Sequence, residues 1–190
     1  MKEKIQLCWI FSLFKKEDFK MFNTIKNIFS NKEPQAKPKL ILAAPLEGEL
    51  VSITEVPDPV FSEKMMGDGF AIKPTLGIIV SPIEGTVGSI FPTKHAIGLT
   101  SKEGYEIIIH FGLETVNLNG EGFEVLAEIG QKVSIGDELL KIDIEKIKNK
   151  VPSIITPVVI ANLKEDEKIV VEKYKQVSLA EQAVAVIIKK

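Results

Sequence analysis

The chain has 190 residues, 45% hydrophobic and 26% charged, with a formal net charge of −2, an ordinary globular composition long enough for one substantial core and too short for two generous domains. That balance offers no basic surface for nucleic acid, and the one cysteine, Cys8, has no partner for an internal disulfide. With only two histidines there is no Cys/His zinc set, so no metal or other cofactor is expected, and a reducing, cytoplasmic setting is inferred.

Residues 1–20 differ in character from the rest of the chain. Their longest apolar run, Leu7 to Phe14, has eight residues, where a membrane span needs about 20, and no small-residue cleavage site comes after it as a secretory signal would require. Met21 reads better as a start: Lys16-Glu17-Asp18 can be encoded by AAG GAG GAY, which contains a bacterial ribosome-binding sequence a short distance upstream. The first twenty residues are therefore expected to be leader from a mis-assigned start, and the intact mass of protein made from its native gene decides it, because a chain beginning at Met1 refutes the idea.

In residues 21–30 the apolar Phe22, Ile25, Ile28 and Phe29 recur at near-helical spacing beside Lys26, which predicts a short amphipathic helix. It has the composition of a helix that rests weakly on an anionic membrane surface, and equally that of one that docks on its own domain or frays. NKEPQAKPK, residues 31–39, reads as a linker.

From Leu40 to the end, short strand-like runs alternate with Gly or Pro joints: LILAAP, GELVSI, LGIIVSP, GTVGSI, HAIGLT, YEIIIHFG, FEVLAEI, ELLKIDI, IITPVVIANL, KIVVEKY and AVAVIIKK. This pattern predicts one all-β domain over 40–190, an antiparallel β-sandwich or barrel. Pro45–Ile53 (PLEGELVSI) and Pro82–Ile90 (PIEGTVGSI) match in type at most positions, so two similar half-units are expected to fold against each other. Two short helical pieces are predicted, Pro59–Met66 and Asp143–Lys150, each bounded by Pro or Gly signals.

Both histidines, His95 and His110, fall within Thr93–Gly112, where HAIGLT and YEIIIHFG flank the turn residues Ser101, Lys102, Glu103 and Gly104. The pattern is a β-hairpin. A turn centred between Lys102 and Glu103 puts His95 directly opposite His110, on one face and within reach of one small group; a one-residue bulge in the turn would shift that register. Two histidines on one hairpin are also compatible with ordinary half-buried strand residues.

A neutral imidazole on a rigid strand is a competent nucleophile without a separate base, and phosphoryl groups are a natural electrophile for it. A second imidazole beside it can donate an N–H to a phosphoryl oxygen. No Gly-x-Ser-x-Gly elbow, His-Glu-x-x-His pair or phosphate-cradling glycine loop with its lysine is present. Val60, Phe61, Met65, Met66, Phe91, Ile108 and Val116, with the acidic Asp58, Asp68 and Glu114, would form an apolar docking ring if they gather around the histidines. Taken singly, each apolar member reads better as core.

Six blocks carry a resemblance: VPDPVFSEKMMGDGFAIKP (56–74), SPIEGTVGSIF (81–91), TKHAIGL (93–99), HFGLETVNLNGEGF (110–123), GQKVSIGDELL (130–140) and TPVVIAN (156–162). In this order they resemble the glucose-type enzyme IIA of the bacterial phosphoenolpyruvate-dependent sugar phosphotransferase system, over about residues 40–190. The resemblance implies a β-sandwich with a shallow depression holding the histidine pair. It implies that His110 is phosphorylated through Nε2, that His95 contacts the phosphoryl group and is needed to pass it on, that Thr93 orients His95, and that the Gly112 carbonyl fixes the His110 tautomer.

The donor it implies is the phosphohistidine form of the small carrier HPr, and the acceptor a cysteine on a IIB domain of a sugar permease. Val60, Phe61, Met65, Met66, Phe91, Ile108 and Val116 match the family's docking ring. Asp58 and Glu114 match acidic positions near the site, Glu114 being one methylene longer than the usual aspartate. The segment from Met21 resembles the membrane-tethering helix of some stand-alone members. Two other readings stand beside transfer: a binding module that regulates partners by its phosphorylation state, and, more distantly, a metal-dependent hydrolase on a similar scaffold.

Overall fold

Fourteen short strands and two single-turn helices make up residues 37–190, the part of the chain that this computed structural model describes. In chain order they are β1 (Leu40–Leu42), β2 (Gly48–Ser52), α1 (Pro59–Ser62), β3 (Asp68–Pro74), β4 (Ile78–Val80), β5 (Gly85–Ile90), β6 (Ala96–Ser101), β7 (Glu106–His110), β8 (Phe123–Val125), β9 (Lys132–Val133), β10 (Glu138–Ile142), α2 (Ile144–Ile147), β11 (Thr156–Ile160), β12 (Glu167–Val171), β13 (Gln176–Val177) and β14 (Ala185–Lys189). The expected leader, the amphipathic segment 21–30 and most of the linker lie outside the described residues.

An eight-stranded sheet in the order β13-β2-β3-β11-β7-β6-β5-β9 forms one layer, and two three-stranded sheets, β1-β14-β12 and β4-β10-β8, pack against it. Every pairing is antiparallel, so the expected all-β antiparallel sandwich is what the chain forms. Side chains alternate between faces: Leu50, Phe70, Ile97, Leu99, Ile107, Ile109 and Val158 from the large sheet meet Ile79, Leu140, Ile142 and Ile187 in the main core. The other face carries a smaller cluster in which Val51, Ala71 and Val159 pack with Ile53, Phe61, Leu113 and Ile155, and Ile108 and Met66 lie against it. β11, buried at every position, has apolar cover on both faces, which is why it reads as a continuous apolar run.

The internal repeat has a topological counterpart. β2 lies between a two-residue edge strand, β13, and its hairpin partner β3, and β5 lies between the two-residue edge strand β9 and its hairpin partner β6. The glycines that open the two strands face the same constraint: a Cβ would stand 2.1 Å from the Lys73 carbonyl oxygen at Gly48 and 2.2 Å from that of Thr100 at Gly85.

Three expectations need adjustment. β3, in the middle of the large sheet, begins inside Gly67-Asp68-Gly69, which reads as a turn; Gly69 is there because β11 passes so close that a Cβ would lie 2.0 Å from the Val158 carbonyl oxygen. The helices are single turns. Asp58 caps α1 by accepting from Val60 N at 2.9 Å, Pro59 opens it, and left-handed Lys64 (φ 60°) follows it. Asp143 caps α2 by accepting from Lys146 N at 3.1 Å.

The third concerns register. The β6–β7 loop has three residues, Lys102-Glu103-Gly104, closed by Ser101 N–H donating to the Tyr105 carbonyl at 2.8 Å, with Gly104 at φ 87°. A three-residue hairpin loop ending on a left-handed residue is a common type. Its consequence is that Ala96, and not His95, stands opposite His110.

Candidate functional site

His110 ends β7 on the face that carries the smaller cluster, the side shared with Ile108. Beyond it the chain leaves the sheet through Gly112 at φ 68°, where a Cβ would meet the Thr115 Cγ2 at 2.8 Å and the Ser153 carbonyl oxygen at 2.9 Å. This left-handed turn aims the Gly112 carbonyl back at His110, 2.9 Å from Nδ1. A carbonyl oxygen only accepts, so Nδ1 carries the proton and Nε2 keeps its lone pair.

His95 precedes β6, after a turn in which Lys94 N–H donates to the Phe91 carbonyl at 2.7 Å and Lys94 adopts φ 58°. In the observed register a regular strand would send its side chain to the opposite face from His110. The chain is not regular there: Phe111 N–H donates to the His95 carbonyl at 2.8 Å, but the Phe111 carbonyl accepts from the Thr115 hydroxyl at 2.7 Å in place of the return bond from His95. With alternation broken, the two rings meet edge to face, centroids 4.7 Å apart and planes at 76°. The juxtaposition expected from direct opposition is therefore reached by another route.

The Thr93 hydroxyl lies 2.5 Å from Nδ1 of His95. Phe91 packs edge-on against His95 (centroids 5.6 Å) and Phe61 tilts against His110 (5.2 Å). Burial holds His95 well below the usual imidazole range, at about 4, and the neighbouring His110 adds to this. Burial also lowers His110, opposed by its bond to the Gly112 carbonyl and by the charge of Asp58. Both rings are neutral at pH 7.

The remaining expected residues separate into three groups. Phe61 and Phe91 touch the imidazoles, and Met66 and Ile108 pack on the cluster beneath. Val60, Met65 and Val116 are exposed, Met65 at 71%. Asp58 is committed to capping α1 while its charge reaches His110; Asp68 pairs with Lys64 at 2.9 Å; Glu114 is exposed in a left-handed conformation (φ 56°) and caps nothing with its side chain. The sequence reading missed Thr115 and Ser153, which brace the loop after His110. The one available signal was spacing, since a threonine four residues past Phe111 can bond back to that carbonyl.

Among the described residues no group of three or more His, Cys, Asp or Glu is close enough to hold a metal ion. Two open surface grooves, about 470 and 320 Å³, are lined by other parts of the chain, around Leu76, Phe123 and Lys141 and around Lys39, Lys102 and Ile135. No helix of the described residues is long and apolar enough to cross a membrane.

An antiparallel β-sandwich that sets two neutral imidazoles ring to ring on one face of its large sheet is the class of protein that this fold and site define. Residues 40–166 match the family described as phosphoenolpyruvate-dependent sugar phosphotransferase system, EIIA 1. The chain belongs to that family, as the six sequence blocks imply, and is an EIIA component of that system. It is 48% identical over 159 residues to the PTS system glucose-specific EIIA component of Staphylococcus epidermidis, covering 84% of this chain and 95% of that protein. It is 55% identical over 123 residues to part of the glucose-specific EIICBA component of Staphylococcus carnosus, covering 65% of this chain and 18% of that longer protein. The solved glucose permease IIA from Mycoplasma capricolum superposes with a TM-score of 0.71 at 40% identity, covering 80% of this chain and 96% of that one.

Proposed function

We propose that this EIIA component accepts a phosphoryl group from the phosphohistidine of HPr onto Nε2 of His110 and passes it to a cysteine of a permease IIB domain. In the first step the His110 lone pair forms a new N–P bond as the donor's N–P bond breaks. In the second the IIB thiolate forms an S–P bond as the bond to His110 breaks. The observation that carries this reading is the Nδ1–H of His110 held on the Gly112 carbonyl, which leaves Nε2 as the free nucleophile beside a second imidazole.

His95 is assigned the assisting role. The Thr93 hydroxyl at its Nδ1 can donate to that nitrogen, and in this tautomer the Nε2–H is the group that donates to a phosphoryl oxygen and steadies the charge that develops there. Exposed Val60, Met65 and Val116, with Phe61, Phe91, Met66 and Ile108 behind them, are assigned to partner docking, and Asp58 and Glu114 to its charged margin. The names of the relatives support glucose as the sugar, the fused S. carnosus EIICBA relative supports a permease as the acceptor, and membership of the EIIA family supports a cytoplasmic place of work.

The test is incubation with phosphoenolpyruvate, enzyme I and HPr, followed by mapping of an acid-labile, base-stable phosphate. His110→Gln should abolish acceptance; His95→Gln should leave acceptance largely intact and cripple donation to IIB. If both variants are phosphorylated and donate like the wild type, the assignment falls.

A further inference from the structure

Thr115 hydrogen-bonds neither imidazole, yet it is fully buried in the 3₁₀ turn Thr115–Leu118, where Val116 and Asn117 are exposed and Leu118 is half-buried against the core. Its hydroxyl donates to the Phe111 carbonyl at 2.7 Å. That carbonyl belongs to the peptide joining Phe111 to Gly112, so the bond fixes the plane on the N-terminal side of Gly112. The plane on the other side is held at both ends, with Leu113 N–H donating to the Ser153 carbonyl at 2.8 Å and the Gly112 carbonyl accepting from His110 Nδ1 at 2.9 Å. The direction of the Gly112 carbonyl is set by these two planes and by φ 68° between them.

The same hydroxyl acts on the other imidazole. In a regular antiparallel pair the Phe111 oxygen would take the His95 N–H in return for the bond that Phe111 N–H gives to His95. Thr115 bonds that oxygen and no N–H of His95 reaches it, and at this rung the chain of His95 leaves strand geometry, its ring turned toward His110.

We propose that Thr115 is a positioning residue for phosphoryl transfer: by holding the Phe111 carbonyl it keeps His110 in the Nδ1–H tautomer and keeps the His95 ring beside it. This rests on the assignment of His110 as the phosphorylated residue. The consequence for the resting tautomer can be read without any phosphorylation.

Thr115→Val preserves shape and removes the donor. In two-bond ¹H–¹⁵N imidazole spectra of the full-length unphosphorylated protein, wild-type His110 should appear as the Nδ1–H tautomer and Thr115→Val as a mixture containing Nε2–H. Uptake from phospho-HPr should slow roughly 10-fold, the low end of the loss seen when a group that orients a metal-ligating side chain is removed, with the affinity for HPr unchanged. Thr115→Ser should restore both readouts.

A Thr115→Val protein that keeps the pure Nδ1–H tautomer overturns the proposal, and so does one with a mixed tautomer and a wild-type uptake rate. Should Thr115→Val lose the wild-type circular dichroism, Thr115→Ser decides alone, and mixed tautomers there overturn the proposal. If the wild type itself takes up no phosphate, the function assigned above fails while the spectra still settle whether Thr115 governs the tautomer.

Discussion

Two imidazoles whose centroids are 4.7 Å apart and largely out of water cannot both take a proton cheaply, and His95 shows this most, held at about 4 by burial and by His110. Its folded pKa lies below the unfolded value of about 6.5, so between those pH values the unfolded chain binds more protons than the folded one. Stability is therefore fully present above about pH 6.5 and declines as pH falls toward 4, by up to about 1.4 kcal/mol per pH unit for each proton taken up. Denaturant unfolding at a series of pH values should show this decline. His95→Gln should flatten it in part, because His110 is depressed by its own burial as well, and a slope that does not change on substitution would refute the account. The histidine pair was legible in the sequence because histidines are scarce in it and both sit on one hairpin. Thr115 was only faintly legible: the four-residue spacing allows its bond back to the Phe111 carbonyl, but nothing in the sequence announces the irregular rung at which that bond is made.

The hairpin and its neighbours separate two reasons for glycine. At Gly104 a Cβ would meet nothing within 4 Å, and only φ 87° stands against a side chain, so Gly104→Ala should cost about 1–2 kcal/mol in denaturant unfolding and leave phosphoryl uptake intact. At Gly69 the backbone needs no left-handed conformation, but the Val158 carbonyl oxygen lies 2.0 Å from where a Cβ would be. Gly69→Ala must push β3 off β11 in the middle of the large sheet, and the loss in stability should far exceed that of Gly104→Ala; similar values for the two would contradict the packing described. The same glycines mark what the sequence conceals. Alternating runs with Gly and Pro joints gave away most strands, whereas β3 was hidden because a glycine required for close approach looks like a glycine required for a turn. Register was hidden for a related reason, since Ser-Lys-Glu-Gly fits both a two-residue and a three-residue loop, and the choice shifts every pairing by one.

Across the whole molecule, β7 joins two centres that do different things. Its far end begins beside Tyr105, whose hydroxyl donates to Glu167 Oε1 at 3.0 Å; Lys39 pairs with the same oxygen at 2.5 Å, and Lys164 N–H donates to Oε2 at 3.1 Å. This clasp ties the lead-in to β1, the start of β7 and the start of β12 around one buried carboxylate. The Lys39 bond, ahead of the other contacts, keeps Glu167 below the usual carboxylate range. Tyr105 and His110 are five residues apart along the strand, about 17 Å at the usual rise. The duplicated half-units were readable as a repeat, but the clasp was not, because Lys39, Tyr105 and Glu167 are far apart in the chain and none is unusual in its local context. Glu167→Gln retains size, keeps one of the two acceptor oxygens and removes the charge that answers Lys39. It should lower the melting temperature by several degrees at neutral pH, and because the wild-type contribution is lost as pH falls through the depressed pKa of Glu167, the gap between variant and wild type should close in acid. Phosphoryl uptake at His110 should be unaffected at temperatures where both proteins are folded. A variant that melts like the wild type would show that the clasp adds no stability, and one that stays folded yet takes up phosphate slowly would show that the two ends of β7 are not independent in the way the geometry requires.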